Sequence, residues 1–248
     1  MMQRPTLVAA AALLLAAIAP RAEAQRILYW TDHNQGTSIL PSALSTLQTL
    51  RAGVTYDAAS SQADFNARLG SGLYSVAIFG EQNTNVFGGS SAELTSFLSG
   101  GGRVVGATFL ASPMAGAFQA IQTSTNQLSI TGSGALFAGI AGSIDLINPG
   151  WGTYAQGFAT SGSCLATFGD ASCAAVLGNG GNSLLLGPLF DTYADEAQGA
   201  RFVANGVDML LGPGAITTTP EPASLALLGS GLLALGGMSL RRRRKSAV

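Results

Sequence analysis

Apolar residues fall into three regions along this chain. Residues 7–19 form an unbroken apolar run behind Arg4, and residues 223–240 form a second stretch that carries no charge. Between them, short apolar runs typical of buried strands alternate with segments that are apolar at helical spacing. This pattern predicts a globular middle region between two apolar terminal segments.

Strand and helix patterns alternate at short intervals in the middle region. Strands are expected at residues 26–31, 53–57, 74–80, 103–109 and 182–190, and helices at 39–50, 64–69, 90–98, 113–122 and 196–211. Ser90, with Glu93 three residues later, predicts a capping box for the third helix. Residues 127–178 carry short strands and turns. The alternation predicts an α/β domain over residues 25–212, with a parallel sheet covered by helices on both faces.

The N-terminal apolar run has the features of a secretory signal peptide. Arg4 supplies the positive start, and small residues at Ala22 and Ala24 follow the thirteen apolar residues. Such a run is too short to span a bilayer. Residues 1–24 are therefore expected to be removed, the alternative being a buried first helix.

The C-terminal apolar stretch predicts a transmembrane helix over residues 223–240. Its eighteen residues would make a helix about 27 Å long, just enough for the hydrocarbon core of a membrane. The stretch has no polar face at helical spacing, which argues against an amphipathic surface helix. A linker at 213–222 precedes it and a basic cytoplasmic tail at 241–248 follows. The tail opens with the basic run Arg241, Arg242, Arg243, Arg244 and Lys245.

Pro220, Glu221 and Pro222, followed by a short apolar helix and a basic end, resemble the PEP-CTERM sorting signal of exported bacterial proteins. The resemblance implies an exosortase as processing partner, with Glu221 as a recognition element, in bacteria that often make exopolysaccharide. It also implies export through the inner membrane, membrane anchoring, and a final location at the cell surface or outside the cell. A permanent anchor without processing is the alternative.

The charge and the cysteine content of the chain limit the classes of function that it can have. Only 10% of the residues are charged, against a usual ~25%, and residues 25–219 hold five basic and eleven acidic side chains. This balance excludes a basic surface for nucleic acid. Cys164 and Cys173, nine residues apart in an exported domain, are expected to form a structural disulfide.

A second resemblance rests on a series of segments across residues 26–211, which are ILYWTD, GVTYD, YSVAIFG, LTSFLSGGGRVV, NSLLLGPLF and ARFVANGVDMLL. The series is similar to class I glutamine amidotransferase-like domains, in particular the non-amidase, ThuA-like branch. It implies a flavodoxin-like, three-layer fold with a parallel sheet. The amidotransferases resembled use a cysteine nucleophile after the fourth strand, a later histidine and an acid. Here residues 109–112 contain no cysteine and the only histidine is His33, so no catalytic residue is assigned.

The loop after the first strand is the candidate ligand rim. Asp32, His33 and Asn34 would leave the carboxyl end of that strand, where open α/β sheets bind ligands, and Glu81 follows the third strand. One histidine with one aspartate falls short of a metal site, and no cofactor motif is present. An ordinary polar loop is the alternative.

Two functions therefore remain open. The first is a non-enzymatic surface protein, in contact with exopolysaccharide or matrix. The second is an exported carbohydrate-active enzyme or other hydrolase with a site near Asp32 and His33. Convergence of Asp32, His33 and Glu81 on one accessible pocket would favour the enzyme.

Overall fold

The structure is a computed structural model that describes residues 25–32, 36–83, 86–109, 115–148, 150 and 152–212. These residues belong to one compact unit, Ala24–Gly214. The expected signal peptide, linker, membrane span and basic tail lie outside the described residues, and so do His33 and Asn34. Within the described part, no helix combines the length and apolarity needed to cross a membrane.

The described secondary structure begins as an alternation of strands and helices. The strands are β1 (Arg26–Thr31), β2 (Thr55–Ala58), β3 (Val76–Glu81), β4 (Arg103–Thr108), β5 (Ala120–Thr125), β6 (Ser129–Gly132), β7 (Ile144–Asp145), β8 (Gln156–Thr160), β9 (Ser163–Phe168), β10 (Cys173–Gly178) and β11 (Ser183–Leu186). The helices are α1 (Leu40–Leu50), α2 (Gln62–Leu69), α3 (Val86–Ser99), α4 (Ala115–Phe118) and α5 (Glu196–Leu211).

All strands join one mixed sheet. The order β2-β1-β3-β4-β11 is parallel throughout, which confirms the expected α/β sheet. From β11 the sheet continues through antiparallel strands β10, β9, β6 and β7, and β8 pairs with both β10 and β5. The expected parallel sheet therefore covers the five strands β2-β1-β3-β4-β11, and the region expected to hold short strands and turns adds antiparallel strands to it. The neighbours β9 and β10 are joined by residues 169–172 alone, a short connection that can link antiparallel strands but not parallel ones.

Helices cover both faces of the parallel half. Ile27 of β1 belongs to the core with α1 and α5, whereas the adjacent Leu28 belongs to the core with α2 and α3. Neighbouring side chains of a strand point to opposite faces, so one strand supplies both cores. Phe202 of α5 and Phe65 of α2, each fully buried, lie in these two cores.

Two local predictions need correction. The helix expected over residues 113–122 is described only at Ala115–Phe118, because Gln119 adopts φ 57° and residues 120–125 form β5. The capping box is also absent, because α3 begins four residues before Ser90. Ser90 is buried within that helix, and its hydroxyl accepts a hydrogen bond from Gln62 Nε2 at 3.2 Å.

Cys164 and Cys173 form the expected disulfide. The bond joins β9 to the start of β10, with the two Cα atoms 5.6 Å apart. Cys173 is buried, and the bond closes the hairpin from which the antiparallel half extends.

Replacing both cysteines with alanine is expected to lower the free energy of unfolding by about 2–3 kcal/mol. The bond closes a short loop, and its loss restores conformational freedom to the unfolded chain. Urea denaturation of the double variant and of the wild type, each with and without reductant, measures the effect. Reductant should lower the stability of the wild type to that of the variant. A variant as stable as the oxidised wild type would contradict the prediction.

Candidate functional site at the carboxyl edge of the sheet

Four parallel strands end at the same edge of the sheet, and each end carries polar residues. Asp32 follows β1, Glu81 ends β3, Thr108 ends β4, and Asp191 lies in the segment after β11. This edge is where open α/β sheets bind ligands. The hydrogen bonds of these side chains indicate whether this edge can bind a ligand.

The carboxylate of Asp32 binds the backbone of the neighbouring loop. It accepts hydrogen bonds from the N–H groups of Gln82 at 2.5 Å and Asn83 at 2.7 Å. The Asn83 amide donates in return to the backbone oxygen of Asp32 at 3.2 Å. Asp32 therefore joins the loops that follow β1 and β3.

The carboxylate of Glu81 caps a helix from inside the protein. Its side chain is only 1% exposed. One oxygen accepts from the backbone N–H of Phe87 at 2.5 Å, and the other accepts from the Thr108 hydroxyl. Phe87 is the second residue of α3, so its N–H has no partner within the helix.

Two further side-chain bonds complete this edge. Gln82 Nε2 donates to Asp191 Oδ2 at 2.5 Å, and the buried Gln156 donates to the Thr108 carbonyl at 2.7 Å. A cavity of about 10 Å³ lies between β1, β3 and the segment 189–191. This volume holds roughly one water molecule.

Asp32 and Glu81 lie at one edge, as the sequence predicts, and Asp32 binds the residue that follows Glu81. His33 and Asn34 lie outside the described residues. Sequence reasoning missed the parts played by Thr108, Gln156 and Asp191. Among the described residues, no group of three or more His, Cys, Asp or Glu side chains could hold a metal ion.

A larger groove of about 610 Å³ lies at the opposite, amino edge, between α2 and α3. The rings of Tyr74 and Phe97 line it together with the polar side chains of Asn66, Glu93 and Arg103. Its volume is within the usual range for small-molecule sites. No residue of the predicted rim contributes to it.

Paired charges surround Tyr74 beside this groove. The guanidinium carbons of Arg26 and Arg68 lie 5.1 and 5.4 Å from the centre of its ring. Arg26 also donates to Asp57 at 2.6 Å, and this hydrogen bond lowers the pKa of the Asp57 carboxyl. The cluster therefore presents partly neutralised arginines.

The C-terminal part of the chain matches a family model. Residues 218–244 match the PEP-CTERM protein-sorting motif. The chain carries a PEP-CTERM sorting signal. The match spans Pro220, Glu221 and Pro222, the apolar stretch and the first four arginines, which confirms the resemblance seen in the sequence. No curated protein matches the chain by sequence.

The domain that precedes the PEP-CTERM motif has the fold of glutamine amidotransferases. A glutamine amidotransferase from Thermotoga maritima superposes with a TM-score of 0.50 at 9% identity, over 76% of this chain and 96% of that one. A second, from Methylobacillus flagellatus, gives a TM-score of 0.45 at 8% identity, over 75% and 95%. A β-galactosidase from Marinomonas gives 0.43 at 12% identity, over 83% of this chain, which spans only 33% of that enzyme. At these identities the likeness concerns the fold alone.

Proposed function

We propose that this is an exported protein that an exosortase processes at its PEP-CTERM motif, so that the α/β domain acts at the cell surface or beyond it. The match over residues 218–244 carries the proposal. In this scheme residues 1–24 direct export and are removed. The apolar segment 223–240 then holds the chain in the inner membrane, and Glu221 is recognised just outside it.

We further propose that the domain is not an enzyme. The carboxylate of Asp32 binds two backbone N–H groups, and that of Glu81 is buried against Phe87 and Thr108. Both therefore stabilise loops and a helix rather than meet a substrate. The cavity of about 10 Å³ beside them is far smaller than a sugar ring. These contacts favour a surface module over the hydrolase alternative.

Contact with exopolysaccharide belongs to the same proposal. The amino-edge groove offers the partly exposed ring of Phe97 and the hydrogen-bonding side chains of Asn66, Glu93 and Arg103. Apolar walls with a few polar groups are typical of sites for small organic molecules, and a saccharide presents both kinds of surface. The groove thus has the size and the chemistry for one or two sugar units.

Glu221→Ala is the decisive variant for the sorting proposal. In cells that contain the exosortase, wild-type protein is expected to lose residues 1–24 and the basic tail. The variant should lose only residues 1–24 and remain in the inner membrane, because the recognition element is gone. Cell fractionation followed by intact-mass measurement distinguishes the two products.

Glu93→Ala is the matched control, since it makes the same change at an exposed position of α3. It should be processed like the wild type. Wild-type protein that retains the complete tail would overturn processing and leave a permanent anchor. Full-length protein in the cytosol, with residues 1–24 still attached, would overturn export itself.

A further inference from the structure

The two ends of the domain meet at Arg51. Its side chain is only 12% exposed and donates to Asp208 Oδ1 at 2.7 Å and to the Gly212 carbonyl at 2.5 Å. A third donor, Nη1, lies 3.3 Å from the side-chain oxygen of Gln25. Arg51 thus connects the last turn of α5 to the residue that precedes β1.

The side chain of Gln25 is held at both of its polar atoms. Its oxygen accepts from Arg51, and its nitrogen donates to the Leu211 carbonyl at 3.4 Å. The backbone carbonyl of Gln25 is fixed as well, because it accepts from the Thr55 N–H at 3.0 Å. Cleavage after Ala24 would make this residue the first of the mature chain and leave its α-amino group without a preceding peptide bond.

We propose that Gln25 is a modification site, at which the mature N-terminus closes on its own side chain to form pyroglutamate. The α-nitrogen attacks the side-chain amide carbon, and the amide nitrogen takes a proton and leaves as ammonia. One C–N bond forms and one breaks, nothing is oxidised or reduced, and no co-reactant is consumed. The inference rests on the proposed function, since only export removes residues 1–24.

Arg51 is the positioning residue for this step. In the tetrahedral intermediate the amide oxygen becomes negative, and a guanidinium already hydrogen-bonded to that oxygen stabilises the charge. Asp208 fixes the guanidinium in place. The bond to Leu211 orients the leaving nitrogen. At neutral pH an ordinary α-amine is partly deprotonated and therefore able to attack.

Ring closure changes the charge of the domain surface at the mature N-terminus. The α-ammonium charge disappears from the neighbourhood of Arg51, and the lactam oxygen can still accept from the guanidinium. A blocked N-terminus also resists aminopeptidases, which a domain outside the cell encounters. The modification would protect strand β1, which lies between β2 and β3 in the parallel half.

The test is a mass measurement on full-length chain exported in its host. The N-terminal peptide of the isolated mature protein should be lighter than one that starts with free Gln25 by the mass of one ammonia. Freshly exported wild type should cyclise faster when folded than when unfolded in urea. Arg51→Lys, which keeps the charge but loses the forked donor, should slow ring closure by about a hundredfold, the lower end of the effect of losing one oxyanion donor.

Each result decides one point. A mature chain that starts at Gln25 and retains the ammonia would overturn the modification while leaving the export proposal intact. Equal rates in the folded and unfolded protein would overturn the role of Arg51 without relying on a variant that folds. A chain that still carries residues 1–24 would overturn both the modification and the export.

Discussion

Replacing Glu81 with leucine is expected to lower the free energy of unfolding by about 3 kcal/mol or more. The buried carboxylate accepts from the Phe87 N–H and the Thr108 hydroxyl, and leucine accepts from neither. Each buried donor left without its acceptor costs about 1–3 kcal/mol. The same change removes the cap of α3, so it destabilises this helix as well as the ends of strands β3 and β4.

Glu81→Gln separates hydrogen bonding from charge in this prediction. Its carbonyl oxygen can still accept from Phe87, so we expect a loss of only about 1 kcal/mol. Glu93→Leu makes the leucine change at an exposed position of the same helix and should stay within about 0.5 kcal/mol of wild type. Urea denaturation, followed through the loss of the helical signal, measures the free energy of unfolding of all three variants. Equal stability of the Glu81→Leu and Glu81→Gln variants would contradict the role of Glu81 as the cap of α3.

The parallel half of the sheet could be predicted because local patterns specify it. Arg26–Thr31 is a strand over its entire predicted range, and Glu196–Leu211 is a helix over its entire predicted range. In the second half, short strands were expected within residues 127–178 and are present there, whereas the run at 120–125 is too short for periodicity to separate strand from helix. The pairing of β5 also depends on a partner distant in the chain, since this strand pairs with β8.

The candidate site was predictable in position but not in its contacts. Asp32 and Glu81 follow strands directly, and parallel strands bring such residues to one edge. Apart from the Thr108 hydroxyl, the partners described are backbone N–H groups of residues 82, 83 and 87, and any residue type except proline supplies an N–H. The sequence therefore contains no signal for these bonds. The sequence suggested Ser90 as the cap of α3 instead. This suggestion was misleading, because Ser90 lies inside the helix.

Gly187→Ala is expected to destabilise the domain by about 3 kcal/mol or more, at the upper end of what overpacking costs. A Cβ atom at this position would lie 2.3 Å from the backbone oxygen of Gln156 and 3.0 Å from the Phe168 ring. The backbone cannot move away, because the Gly187 N–H donates to Ala174 at 2.8 Å and its carbonyl accepts from Gln156 at 2.9 Å. Through these two hydrogen bonds Gly187 connects the parallel half of the sheet to the antiparallel half.

Gly169→Ala is the matched control, since a Cβ there meets no atom within 4 Å. It should leave stability unchanged or raise it slightly, because alanine restricts the unfolded chain. Urea denaturation compares the midpoints, and hydrogen exchange shows where the loss occurs. The backbone N–H of Gln156 donates to the Gly187 carbonyl, so exchange at this N–H should rise in the Gly187 variant alone. Equal midpoints for both variants would mean that the two halves of the sheet can separate at Gly187 without cost, contrary to the contacts on either side of it.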